Sequence, residues 1–214
     1  MKENEIYQQV KKAYQTYMPD TAEVDESNLQ WQRVLEACRQ FPENAQILDA
    51  GCGDGRYIRN LKKYGYNHVT GIDLFDSLSD KSINYICGDV NNLPFKDESF
   101  EVLYAVSVIN YSRQPEKTLE EWKRVVKPGG VIVVTGHTRY SIFTAIRWFK
   151  RKYLFKKFPH LVNMVFHDPK KISKILVSLG LEIKEENGFF ISWIDRLFKV
   201  TWFSDLLGHI LPAS

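Results

Sequence analysis

Cysteine is scarce in this chain. The three present, Cys38, Cys52 and Cys87, are odd in number and scattered without metal-ligand spacing, which argues against a disulfide framework or a cysteine-held metal centre and fits a reducing cytosol. Long hydrophobic runs are missing too: nothing approaches the ~20 apolar residues of a membrane span, and Met1-Lys2-Glu3-Asn4-Glu5 has no apolar signal core. The expectation is a soluble, cytoplasmic protein with no resident metal. Net charge is small, at +3, and by itself makes no case for nucleic acid. Locally, no acidic residue occurs from Thr138 to His167. What is present is a chain of 214 residues, 44% hydrophobic, enough to bury one full core and close to the usual length of a single domain.

The chain is organised around Ile47-Leu48-Asp49-Ala50-Gly51-Cys52-Gly53-Asp54-Gly55-Arg56. Gln46 to Ala50 reads as a buried strand, and the alternate glycines allow a tight turn and close approach of backbone to a ligand. The helix that follows offers free N–H donors to that ligand. A nucleotide-like molecule is expected there. In the dinucleotide-binding fingerprint a glycine belongs at position 56, but this chain has Arg56, and the nicotinamide reading weakens accordingly. An acid closing the next strand, Val69 to Asp73, lies 22 residues after Gly51, where an α/β nucleotide site needs an acceptor for two ribose hydroxyls.

At these residues the chain resembles the class I S-adenosylmethionine-dependent methyltransferases, within them the small-molecule group that includes ubiquinone and menaquinone biosynthesis enzymes. Asp49 to Gly55 matches that family's first motif, Gly71-Ile72-Asp73-Leu74 its second strand end, and Gly88 to Phe95 the loop over the adenine. Ser99 to Tyr104 matches the fourth strand, and Arg124 to Val134 completes the pattern. The match is strong over Asn44 to Thr135 and weak at both ends. It implies S-adenosylmethionine as cofactor and S-adenosylhomocysteine as product. Asp73 would take the ribose, Leu74 would pack on the adenine, Asp89 would accept from the adenine amino group and the Val90 amide would read a ring nitrogen. Gly51, Cys52, Gly53 and Gly55 would line the cofactor, with Ala105 and Val106 at the end of the fourth strand. Asp49 would accept from the methionine ammonium, directly or through water; bracing the glycine turn is its compatible structural role, as capping a turn is for Asp89.

The acceptor side is less legible. The Asn-Pro-Pro-Tyr pattern of amino-group methyltransferases is absent from Ala105 to Tyr111, and Tyr111 stands where many small-molecule relatives carry histidine. An unperturbed phenol is a poor base at neutral pH, so Tyr111 is assigned acceptor positioning, and His167 is a second candidate for that role or a purely structural residue. Upstream, Glu5 to Tyr17 has a helical stripe that places Tyr14 against either the ligand or the core, and Ser27 with Gln30 forms a capping-box pattern for a second helix. Gln114 to Lys127 reads as a helix stopped by Pro128-Gly129-Gly130, and Val131 to Thr135 as the fifth strand. Beyond Gly136, Arg139, Arg147, Lys150, Arg151, Lys152, Lys156 and Lys157 alternate with aromatics. That insertion reads either as a lid favouring a lipophilic or anionic acceptor, with peripheral membrane contact through 139–158, or as aromatics packed on the sheet under solvated cations; cations among aromatics also suit single-stranded nucleic acid, which the missing Asn-Pro-Pro-Tyr pattern and the modest pI of 8.6 disfavour. Asp168-Pro169 opens a helix, Leu181 to Lys184 resembles the sixth strand, and a last antiparallel strand is placed at Phe189 to Trp193.

The expected fold is thus a doubly wound, Rossmann-like α/β domain with a seven-stranded, mostly parallel sheet and helices on both faces. Residues 1–43 would form covering helices, 44–136 the cofactor core, 137–167 the insertion, and 168–214 the C-terminal helix, strands and aromatic tail of a single domain. The expected reaction is methyl transfer to a small molecule. A non-catalytic cofactor-binding relative and an NAD-dependent oxidoreductase are the alternatives.

Overall fold

The computed structural model describes residues 24–75, 78, 80–137, 164–187 and 205–212, with backbone alone at Asn187 and over 205–212. Tyr14 and its helix, the basic aromatic stretch from Thr138, and the Phe189 to Trp193 segment lie outside the described residues. Helix α1 is Leu29–Cys38, strand β1 Ile47–Ala50, helix α2 Arg56–Lys63, and strands β2 and β3 Val69–Asp73 and Asn84–Cys87. Strand β4 is Phe100–Val106, followed by a short 3₁₀ turn at Ile109–Tyr111, helix α3 at Pro115–Val125 and strand β5 at Val126–His137. Helix α4 (Pro169–Ser178) and strands β6 (Leu181–Asn187) and β7 (Asp205–Pro212) complete the chain.

Five strands run parallel in the order β3-β2-β1-β4-β5. At the far edge β7 lies antiparallel to both β5 and β6. The chain moves outward from β1 to one side through β2 and β3, then returns to place β4 on its other side. The crevice at that reversal, beyond the C-terminal strand ends, is where such sheets bind ligands. Strand β1 is buried throughout, as expected of a parallel strand covered on both faces. Its parity divides the core: Ile47 joins Trp31, Val34, Ile58 and Tyr104 on one face, while Leu48 joins Ile72, Leu119, Trp122 and Ile172 on the other. Among the described residues no helix is long and apolar enough to cross a membrane.

Three sequence boundaries move. Helix α1 is capped by Asn28, whose side chain accepts from the Gln30 and Trp31 amides, and not by Ser27, whose hydroxyl is taken by Asp25 at 2.7 Å. Strand β5 starts at Val126 instead of Val131. Pro128 disfavours helix at the residue before it, so the chain turns extended early and crosses an irregularity between the Phe100–Val126 and Val102–Val131 pairs. The antiparallel strand beside β5 is Asp205–Pro212, downstream of where the sequence placed it.

Candidate functional site

The glycine turn lies along the end of β2, with the Gly51 and Cys52 amides both donating to the Ile72 carbonyl at 2.7 and 3.1 Å. Gly51 has φ +85, and a Cβ there would collide with the Val108 side chain; only glycine satisfies both constraints. Gly55, at φ +72, is the N-cap of α2 and offers no side chain to the helix start. Arg56, in place of the dinucleotide glycine, folds back so that its Nε and Nη2 reach Asp54 at 2.9 and 2.7 Å. Asp54 is 5% exposed and also accepts from the Arg56 amide at 3.1 Å. This pair closes the turn, and the sequence reading passed over Asp54; an acid between the glycines with arginine two residues on was its signal.

Asp49 and Asp73 are both buried but differ in their partners. Asp73 accepts from the Gly53 amide through Oδ2 at 2.9 Å and from the Phe75 amide through Oδ1 at 3.3 Å. It, rather than Asp49, braces the turn. Burial pushes the Asp73 carboxyl above its usual range against the pull of the Gly53, Phe75 and Leu74 amides. Asp49, 3% exposed, forms no ion pair among the described residues. Burial raises it well above the carboxylate range, the Tyr104 hydroxyl opposes that rise, and the charges of Asp73 and Asp54 add to it. The neighbouring Cys52 thiol is pushed up by burial and by the same acids, which makes it an inert part of the wall.

Leu74 projects from the end of β2 at 48% exposure. The Gly88 amide donates to the Asp73 carbonyl at 2.8 Å, which brings the loop after β3 alongside. There Asp89 Oδ1 accepts from the Asn91 amide and side chain at 2.9 and 2.7 Å, its turn-capping role, and Oδ2 makes no hydrogen bond among the described residues. The Val90 carbonyl accepts from Trp122 Nε1 at 2.9 Å.

On the other side of the glycine turn, Ala105 is buried and Val106 half-buried at the end of β4. Ser107 takes φ +61, and its amide donates to the Thr135 carbonyl at 3.0 Å. Tyr111 is 38% exposed on the 3₁₀ turn. The turn itself is held by Asn110, fully buried, whose Nδ2 donates to the His137 and Val165 carbonyls at 2.8 and 2.9 Å. Asn110 Oδ1 accepts from the His137 amide at 2.7 Å. His167 Nε2 lies 3.1 Å from both the Ile109 and the Ser112 carbonyls, so it can donate to the turn that carries Tyr111. The fold thus places Asp49, Gly51, Cys52, Gly53, Gly55, Asp73 and Leu74 at the C-terminal ends of the paired strands β1 and β2 and in the turn between β1 and α2, with Asp89 and Val90 just after β3 and Ala105, Val106 and Tyr111 at or just after the end of β4. His167 stands behind the Tyr111 turn.

Comparison with known proteins is consistent with this arrangement. A family described as methyltransferase domain matches residues 48–134. An uncharacterised protein of Methanocaldococcus jannaschii is 27% identical over 82% of this chain and 83% of its own length. A demethylmenaquinone methyltransferase of Paenarthrobacter aurescens is 26% identical over 82% of this chain and 66% of its own. Other curated relatives match less fully: the chain spans only 27–44% of the length of tRNA, sterol and malonyl-acyl-carrier-protein methyltransferases. Among solved structures, geranyl diphosphate C-methyltransferase from Streptomyces coelicolor, in complex with Mg²⁺, geranyl diphosphate and S-adenosylhomocysteine, superimposes with a TM-score of 0.65 over 86% of this chain and 77% of that one. At 14% identity that likeness is one of fold.

Proposed function

Because the chain belongs to the class I S-adenosylmethionine-dependent methyltransferases, we propose that it transfers the cofactor's methyl group to a small-molecule acceptor of lipophilic or anionic character. The observation that carries this reading is the placement of three acids, Asp49, Asp73 and Asp89, at or just beyond the C-terminal ends of adjacent strands around a left-handed glycine turn. The donor set fits the cofactor group by group. A buried carboxyl with no ion pair among the described residues suits an ammonium, an acid at the end of β2 suits a ribose diol, and an exposed leucine beside it suits the face of adenine.

When bound, S-adenosylmethionine supplies a methyl already activated on a sulfonium. The residues of this chain then hold and exclude. Asp73 keeps lone pairs beyond those used by the Gly53 and Phe75 amides and takes the ribose hydroxyls. Leu74 covers the adenine, Asp89 Oδ2 accepts from its amino group, and the Val90 amide donates to the ring. Ala105, Val106 and Cys52 wall the cleft against water. Tyr111 orients the acceptor, and His167 positions the turn that carries Tyr111. Alignment in a dry cleft supplies most of the rate gain for such a transfer.

Thermal-shift and calorimetric titration with S-adenosylmethionine, S-adenosylhomocysteine and NAD test the reading. A ligand at 100 times its Kd stabilises by roughly 2.7 kcal/mol. The two sulfur nucleosides are expected to stabilise the protein, and stabilisation by NAD alone would overturn the proposal.

The acceptor class rests on the basic, aromatic segment that begins after Gly136, proposed as a lid over a sheet of seven strands. Its cations without acids make a local positive field, and its interleaved aromatics suit a membrane surface or a flat apolar substrate. Flotation with anionic and neutral liposomes at low and high salt, against a variant with Lys150, Arg151, Lys156 and Lys157 changed to Glu, separates the outcomes. Salt-sensitive binding lost in the variant supports the lid; no binding at any salt, with unchanged turnover, leaves only packing.

A further inference from the structure

Strands β1 and β4 run parallel with Asp49 directly opposite Tyr104. Register partners on adjacent strands project from the same face, so both side chains enter the layer beneath α1 and α2. Tyr104 is fully buried, its ring 6.1 Å from that of Tyr57. Among the described residues its hydroxyl makes no well-formed hydrogen bond, an arrangement proteins rarely tolerate. The group it faces is the Asp49 carboxyl, which forms no ion pair among the described residues. A phenylalanine would fill the same volume without stranding a polar atom, so the hydroxyl calls for a reason beyond packing.

We propose that Tyr104 is a positioning residue for the cofactor's amino group: its hydroxyl donates to Asp49 once that carboxyl is ionised, and fixes the carboxylate against the arriving ammonium. This rests on the methyltransferase reading given above. Several groups influence Asp49. Asp73 from β2 and Asp54 from the glycine turn bring negative charge, and Cys38 from α1, Cys52 from the turn and Tyr57 from α2 bring neutral side chains. Arg56, the cation of the glycine turn, is paired with Asp54. Among these the Tyr104 hydroxyl is the one group that favours the ionised carboxyl before the cofactor arrives. Binding of a ligand bearing the amino group should therefore release a proton from Asp49, and binding should tighten as pH rises.

The test compares Tyr104→Phe with wild type by calorimetric titration of S-adenosylhomocysteine and of 5′-methylthioadenosine, which keeps the nucleoside and sulfur but has no amino acid part. Titrations run from about pH 6 to pH 9 in two buffers of different ionisation enthalpy, so that protons released are counted. A lost hydrogen bond to a charged group weakens binding about tenfold or more. The variant is expected to lose S-adenosylhomocysteine affinity by about that factor, to keep 5′-methylthioadenosine within about twofold, and to move the pH rise upward. Asp49→Asn should show the same ligand-selective loss, and adding Tyr104→Phe to it should cost nothing more. Equal losses with both ligands, an unchanged pH profile, or additive effects of the two substitutions would overturn the inference. If Tyr104→Phe does not fold, the Asp49→Asn comparison and the wild-type proton count decide, absence of proton release overturning it. Wild-type protein that binds neither sulfur nucleoside instead removes the cofactor reading, and this inference with it.

Discussion

Asp73 carries two duties at once, because the carboxylate proposed to take the ribose is also the acceptor for the Gly53 and Phe75 amides. Asp73→Ala should therefore lower both binding and stability: S-adenosylhomocysteine affinity by more than about tenfold, and unfolding free energy by roughly 1–3 kcal/mol as two amides lose their acceptor. Calorimetry and denaturant melts report the two separately, and affinity within about twofold of wild type would relocate the ribose site. The raised carboxyls also set a pH dependence. A group whose folded pKa lies above its unfolded value, near 4 for aspartate, costs stability as pH climbs from there through the folded value. Asp49 and Asp73 act in this sense, while Glu101 and Glu121, lowered by partners that include Lys127 and Arg124, contribute stability that is lost as pH falls. Asp49→Asn should flatten the decline in the ligand-free protein's Tm above about pH 4, with thermal melts against pH as the measurement. At this scale the places of the glycines and acids, in the turn and at the strand ends, were legible because they follow from close spacing in the chain. Asp54 was visible in the motif but hidden by its pairing with Arg56. Asn110 and Tyr104 were not legible, since the Val165 carbonyl lies 55 positions from Asn110 and Asp49 meets Tyr104 only through strand register.

Helix α3 shows what an element contributes. Three of its side chains reach the loop after β3: Trp122 Nε1 donates to the Val90 carbonyl, Thr118 Oγ1 donates to Asn91 Oδ1, and Glu121 Oε1 accepts from the Leu93 amide. The loop proposed to read the adenine is thus shaped by a helix on the sheet face that holds Leu119 and Trp122. Trp122→Phe keeps much of the buried ring but removes the bond to Val90. It should cost roughly 1–3 kcal/mol and weaken 5′-methylthioadenosine binding several-fold; urea melts with titration of that nucleoside check both, and unchanged nucleoside affinity would mean that the loop holds its shape without the helix. Periodicity located this helix well. Its C-terminal boundary was less legible, because Pro128 pushes the preceding residue toward extended backbone before the glycines are reached. The start of α1 was blurred for a similar reason: Ser27 and Asn28 are both good caps, and Asp25 decides between them by taking the serine.

For the molecule as a whole, the family resemblance implied a doubly wound, mostly parallel sheet, and the parallel run β3-β2-β1-β4-β5 agrees with it. The edge was harder. Asp205-Leu206-Leu207-Gly208-His209-Ile210-Leu211-Pro212 carries apolar residues at a spacing that also suits a helix, and its pairing with β5 and β6 is a long-range choice that no local pattern announces. Substrate choice is expected to reside outside the sheet. Replacing 139–162 by a short Gly-Ser linker should leave S-adenosylhomocysteine binding within about threefold and Tm within a few degrees, while turnover of any acceptor found is lost; a protein that no longer folds would show that the segment belongs to the core. The reason for expecting tolerance is Asn110. One side chain grips the chain at His137, before the segment, and at Val165, after it, so the core itself ties the two ends together. For a flexible segment the entropy of closing such a loop grows only with the logarithm of its length, at about 0.6 kcal/mol per doubling. If the proposed role of the segment holds, the clamp at Asn110 makes it an exchangeable cassette, whose length and composition can change at small entropic cost while the strand ends on the other side of the clamp keep their places.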